Sequence, residues 1–105
     1  MELVYASLTR RQPGEAAEAG EAAEAEDAMW AHALPSIGLQ HVSARFESGR
    51  LDFLLYLMTL TSPCAPSALR RAHALLTRSQ QASPLLNQRY LPPKPLTEPT
   101  DRSTR

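Results

Sequence analysis

Residues 42–61 read VSARFESGRLDFLLYLMTLT, and the fold turns on how they are read. Gln40, Val42, Ala44 and Phe46 alternate with His41, Ser43, Arg45 and Glu47, the period-2 pattern of a half-buried strand. Glu47-Ser48-Gly49-Arg50 is a turn signal, with Gly49 able to take a positive φ. From Leu51 to Thr61 the chain is apolar on both faces: Leu51, Phe53, Leu55 and Leu57 on one, Leu54, Tyr56, Met58 and Leu60 on the other. Leu51, Leu54, Leu55 and Met58 also fit helical spacing, so periodicity alone leaves this run open. The turn at Gly49 and the alternation before it decide for a hairpin. A strand that is apolar on both faces needs cover on both: the chain's own helices on one side, and a second subunit, a partner or a ligand on the other.

Residues 2–8 form a first strand, with Val4, Ala6 and Leu8 on one face and Leu3 and Tyr5 on the other. Arg10 to Gly14 is a connection ending in the turn Pro13-Gly14. Residues 14–25, GEAAEAGEAAEA, are a tandem hexamer. Ala and Glu favour helix, but the repeat has no large apolar residue to hold it, so it is expected to be a mobile loop or frayed helix start. A firmer helix is expected from about Glu26 to Leu34, with Met29, Trp30, Ala33 and Leu34 on its buried stripe and Pro35 as its stop.

After the hairpin, Pro63 and Pro66 break the strand. A second helix runs from Ser67 to about Gln81, burying Ala68, Leu69, Ala72, Leu75 and Leu76 and turning Arg70, Arg71, Ala74, Thr77 and Arg78 outward. Ser83-Pro84 opens a last element, 84–91, either a short helix or a final edge strand. Residues 92–105, PPKPLTEPTDRSTR, read as a disordered proline-rich tail. Residues 1–91 thus make one domain of order β-α-β-β-α: an α+β sandwich of the ferredoxin-like type, one antiparallel sheet with two helices on one face.

Eleven Lys and Arg balance eleven Asp and Glu, so net charge names no partner. The charge is segregated, however. Seven acids against Arg10 and Arg11 lie in residues 1–34, and nine bases against four acids in residues 35–105. In the expected sandwich Glu24 or Asp27 reaches Arg71 or Arg78 across the groove between the helices. Abundant Ala, Arg, Leu and Pro with a single lysine, Lys94, is the usage of a GC-rich bacterial genome, actinobacterial in type. Cys64 is the sole cysteine, which rules out an internal disulfide and makes a cytoplasmic setting the expectation. MELVYASLT lacks the features of a signal peptide, and Leu51–Leu60 is about half a membrane-spanning length. Three exposed arginines without an aromatic platform do not make a nucleic-acid surface.

His32, His41 and His73 have no metal-ligand spacing, and Cys64 sits between prolines with no base in view, so neither metal nor cofactor is expected. No phosphate loop or hydrolase motif is present. His73 and His32 read as structural, and Asp52 as a strand-start acid blunting an edge or pairing with Arg50. His41 shares one strand face with Ser43 and Arg45, on the side away from the helices. Two functions follow. In the first, the protein is a non-enzymatic binding or accessory module, a homodimer or partner-binding protein, that buries Leu54, Tyr56 and Met58 with His41, Ser43 and Arg45 around them. In the second, it is a small cofactor-free enzyme acting on an apolar or aromatic metabolite. His41 is then the acid–base group, Arg45 the anion holder and Tyr56 a pocket wall, with Trp30 near the entrance.

At the level of fold only, this order resembles small ferredoxin-like proteins that dimerise through their sheets. Some of these are cofactor-free monooxygenases or cyclases of bacterial natural-product pathways, with a ligand cavity between sheet and helices. The resemblance implies a similar enzyme for the second reading, but no motif carries a residue role across.

Overall fold

Gly49 takes φ 73° and reverses the chain where the sequence requires it. The computed structural model describes residues 1–12, 14 and 16–94. Around the turn, β2 (Leu39–Glu47) and β3 (Arg50–Leu57) pair antiparallel, with Val42 opposite Leu55, Ala44 opposite Phe53 and Glu47 opposite Arg50. The 51–61 run is therefore strand, not helix, and it stops at Leu57. On the other side of β3 lies β1 (Glu2–Thr9), also antiparallel, giving the order β1-β3-β2. β1 and β2 consequently run the same way, and α1 (Glu21–His32) crosses over between them.

Side-chain parity separates the two faces of the sheet. Val4, Ala6 and Leu8 of β1, Leu51, Phe53, Leu55 and Leu57 of β3 and Val42 of β2 are buried under the helices. The odd residues of β3, at 0–1 % exposure, are therefore its core face, and its even residues Asp52, Leu54 and Tyr56 face away.

The helices depart from expectation in informative places. α1 starts at Glu21, not near Glu26, because Gly20 at φ 82° lets the chain turn into the helix and Glu21 finds buried partners. Its buried residues are Glu21, Ala25 and Met29, with Ala22 and Ala28 packed beside them. Trp30 and Leu34, expected on the buried stripe, are each 47 % exposed. Glu21, Ala25 and Met29 recur every four residues, and Trp30, one position beyond Met29, falls about 100° round the helix from that stripe.

α2 (Ala68–Ala82) starts where Ser67 Oγ accepts the Arg70 N–H at 3.2 Å, and buries Ala68, Ala72, Leu75 and Leu76. It also buries Arg71, expected outside. Arg71 Nη1 donates to the Ile37 carbonyl at 2.8 Å and Nε to the Pro66 carbonyl at 3.2 Å, and Glu2 lies 3.8 Å from Nη2. Its guanidinium thus bridges two loops rather than reaching Glu24 or Asp27. The 3-10 turn Pro35–Ile37 that supplies one carbonyl is closed by Gly38 at φ 72°.

The last element is a short helix, α3 (Pro84–Arg89), opened by Pro84 at its first position and capped by Ser83 Oγ. A single strand-like bridge follows, Tyr90 to Arg10, with the Arg11 N–H on the Arg89 carbonyl and the Leu91 N–H on the Thr9 carbonyl, at 2.9 and 2.8 Å. Continued in that register, residue 93 would donate to Ser7. It is proline and has no N–H, so the ladder along β1 ends there. Among the described residues the result is a small α+β domain with a three-stranded antiparallel sheet and three helices. Residues 95–105, most of the expected tail, and residue 15 of the Ala/Glu repeat lie outside the described residues.

Candidate functional site: the open face of the sheet

The face without helices is a grid set by register. Leu3, Tyr56 and His41 form one row; Tyr5, Leu54 and Ser43 the next; then Ser7, Asp52 and Arg45; then Thr9, Arg50 and Glu47. One end is thus mostly apolar and the other charged. His41 and Tyr56 meet edge to face, ring centroids 5.3 Å apart at 71°. Leu3 is 59 % exposed and Tyr5 77 %, while Leu54 and Tyr56, in the central strand, are only partly so.

The charged end is internally neutralised. Asp52 Oδ1 accepts from Ser7 Oγ and from Arg50 Nε, both at 2.7 Å, and Arg45 pairs with Glu47 at 2.7 Å. Partial burial pushes the Asp52 carboxyl up, but the bonds from Arg50 and Ser7 and the nearby Arg45 charge outweigh it and hold the group below its ordinary range. A shallow concavity of about 420 Å³ lies over this end, lined by Tyr5, Ser7, Ser43, Arg45, Asp52 and Leu54 among others.

Of the residues singled out in the sequence, His41, Ser43, Arg45, Leu54 and Tyr56 stand on this one face. Met58 lies one residue beyond β3, its N–H donated to the Gly38 carbonyl at 2.8 Å, and is 48 % exposed. Trp30 is on α1, on the helix-covered side. The concavity takes in Arg45 but neither His41 nor Tyr56. Leu3 and Tyr5, the most exposed apolar residues of the face, were legible as a pair on one side of the first strand, but not as residues of an edge strand.

A second polar constellation was not legible at all. Arg10, Glu21 and Tyr90 are 1 %, 1 % and 0 % exposed. The Arg10 guanidinium donates to the Glu21 carboxylate, to Tyr90 Oη at 2.9 Å and to the Ala16 carbonyl at 3.0 Å, and lies 5.3 Å from the centroids of both the Phe46 and Tyr90 rings. Arg89 Nη1 donates to Glu21 Oε1 at 3.0 Å. This cluster is sealed from solvent, so it clamps elements together and offers no surface to a ligand.

Among the described residues no helix is long and apolar enough to cross a membrane, and no group of three or more His, Cys, Asp or Glu is placed to hold a metal ion. Comparison with protein-family models, with curated proteins and with solved structures finds no match.

Proposed function

We propose that this protein is a non-enzymatic self-association module, a ferredoxin-like sandwich lacking its fourth strand, that pairs with a second copy through the apolar end of its open sheet face. The observation that carries this reading is the exposure of Leu3 and Tyr5 beside Leu54 and Tyr56 on one continuous face. Contiguous apolar surface of this kind marks an interaction site in a folded protein. A second copy is the occupant that the charges favour. The formal net charge is zero, and the acids and bases of this face already neutralise each other, so nothing repels an identical chain or selects a charged partner.

Light scattering after size exclusion tests this. A dimer at micromolar concentration is expected, and Leu3→Arg with Tyr5→Arg, at the most exposed apolar positions of this face, should shift it towards monomer without loss of fold. A wild-type monomer across that range would refute the proposal. The small-enzyme alternative needs His41, Arg45 and Tyr56 around one cavity, and no observation favours it.

A further inference from the structure

Resting on that reading, the inference concerns how two copies meet. We infer that the open edge of β1 pairs with β1 of the second copy, antiparallel, with Tyr5 on the two-fold axis, so that two three-stranded sheets become one.

The backbone sets this up. The Arg10 N–H points to β3, onto the Gly49 carbonyl, whereas the Arg11 N–H and the Thr9 carbonyl point the other way, onto Arg89 and Leu91. Alternation along a strand therefore aims the N–H and C=O of Leu3, Tyr5 and Ser7 at the open edge. Among the described residues no hydrogen bond uses these groups. The bridge at Tyr90 covers the edge only as far as Thr9, and Pro93 prevents its continuation. An uncovered edge is a template for another strand.

The free groups fit a copy of themselves. Leu3, Tyr5 and Ser7 are symmetric about Tyr5. An isologous antiparallel pairing of Leu3 with Ser7 and Tyr5 with Tyr5 therefore satisfies every one of them. Glu2 is the only charged residue of β1, and this register holds its two copies at opposite ends of the pair, free of like-charge contact. The distribution of exposure agrees. The open-face apolar residues most exposed are Leu3 and Tyr5 of β1, not Leu54 and Tyr56 of β3. Edge pairing covers β1 first and sets the two Tyr5 rings side by side, whereas face-to-face stacking would cover the central strand first.

The test uses the full chain with Cys64→Ser. Tyr5→Cys should cross-link to itself under mild oxidation, because a hydrogen-bonded antiparallel pair places Cα atoms about 5.5 Å apart, within disulfide range. Leu3→Cys alone and Ser7→Cys alone should not, but the two mixed should. Independently, Tyr5→Pro should weaken dimerisation by about 10- to 100-fold relative to Tyr5→Val, since it removes an outward N–H and none that pairs with β3. Circular dichroism checks that the fold persists. If the protein is dimeric but Leu54→Cys cross-links in place of Tyr5→Cys, the dimer is face to face: edge pairing is wrong and self-association stands. A wild-type monomer ends both.

Discussion

Tyr90 Oη donates to Glu21 Oε2 at 2.5 Å, tying the residue that follows the last helix to the first turn of the first. Arg10, at the end of β1, donates to both. Three segments far apart in sequence thus close on one buried ion pair. Removing one partner of such a pair leaves a buried charge uncompensated, which typically costs about 3–5 kcal/mol. Glu21→Leu and Arg10→Met should each lower stability by about that much in urea unfolding. The double variant should lose less than the sum of the two, because an apolar pair there is not a stranded charge. Tyr90→Phe, which keeps the ring against Arg10, should cost about 1–3 kcal/mol.

The same cluster sets a pH window. Burial pushes the Glu21 carboxyl up, but hydrogen bonds from Tyr90, the Glu18 N–H and Arg10 outweigh it, so its pKa lies below the ordinary value. Its contribution to stability is complete above the unfolded value of about 4.3 and is lost as pH falls through the lower folded value. The Tyr90 phenol is pushed up to about 12 by burial and by the Glu21 carboxylate it faces. Its contribution is complete below about 10 and is lost as pH rises towards 12. Thermal melts across pH should show Glu21→Gln flattening the acid limb and Tyr90→Phe the alkaline one. Limbs identical to wild type in both variants would show that the cluster does not titrate with folding. Asp52, also depressed, contributes to the acid limb of every variant, so only the difference between chains isolates Glu21.

Arg71 makes a sharper contrast with its helix neighbours. Arg70 and Arg78 are exposed, and changing both to Gln should move stability by less than about 0.5 kcal/mol. Arg71→Gln should cost about 2–3 kcal/mol, because it strands a carbonyl at Ile37 and weakens the hold on Pro66. Gly38→Ala should be damaging at the same spot. A Cβ there would stand 3.3 Å from Arg71 Nη1 and 3.2 Å from Met58 Cβ, on a backbone at φ 72°, at a cost of about 1–3 kcal/mol. Equal effects of Arg70→Gln and Arg71→Gln would show that the buried guanidinium is not structural.

The hairpin, the strand faces of β1 and β2 and the extent of α2 were legible because period and turn chemistry are local. Which face of β3 meets the core was not, since both are apolar and only its neighbours decide. Glu21 sits in the second of two identical hexamers, so nothing local in the repeat marks it for burial. Arg71 carries the same local signal as Arg70, and its burial depends on carbonyls contributed by two separate loops. For the candidate site, His41, Ser43 and Arg45 follow from alternation alone. That Leu3 and Tyr5 stand on an edge strand among the described residues follows from strand order, which the sequence does not encode locally.

The abrupt end of the ladder after Tyr90 leads to a final expectation. If the missing donor of Pro93 is what ends the recorded pairing at Leu91, then restoring donors there should let the pairing extend along β1. Were the Tyr90–Arg10 register continued, positions 93 and 95 would fall opposite Ser7 and Tyr5, and both are proline in the sequence. Pro93→Val with Pro95→Val should add protected amides along β1 in hydrogen exchange and raise stability. Because an intramolecular strand reaches the edge without the entropy loss of association, it should compete with a second copy for the same groups. Dimer content should therefore fall as β1 protection rises. Protection gained with no change in dimer content would mean that association does not use this edge. Neither gained nor lost would mean that the edge is closed to the tail for a reason other than its missing donors.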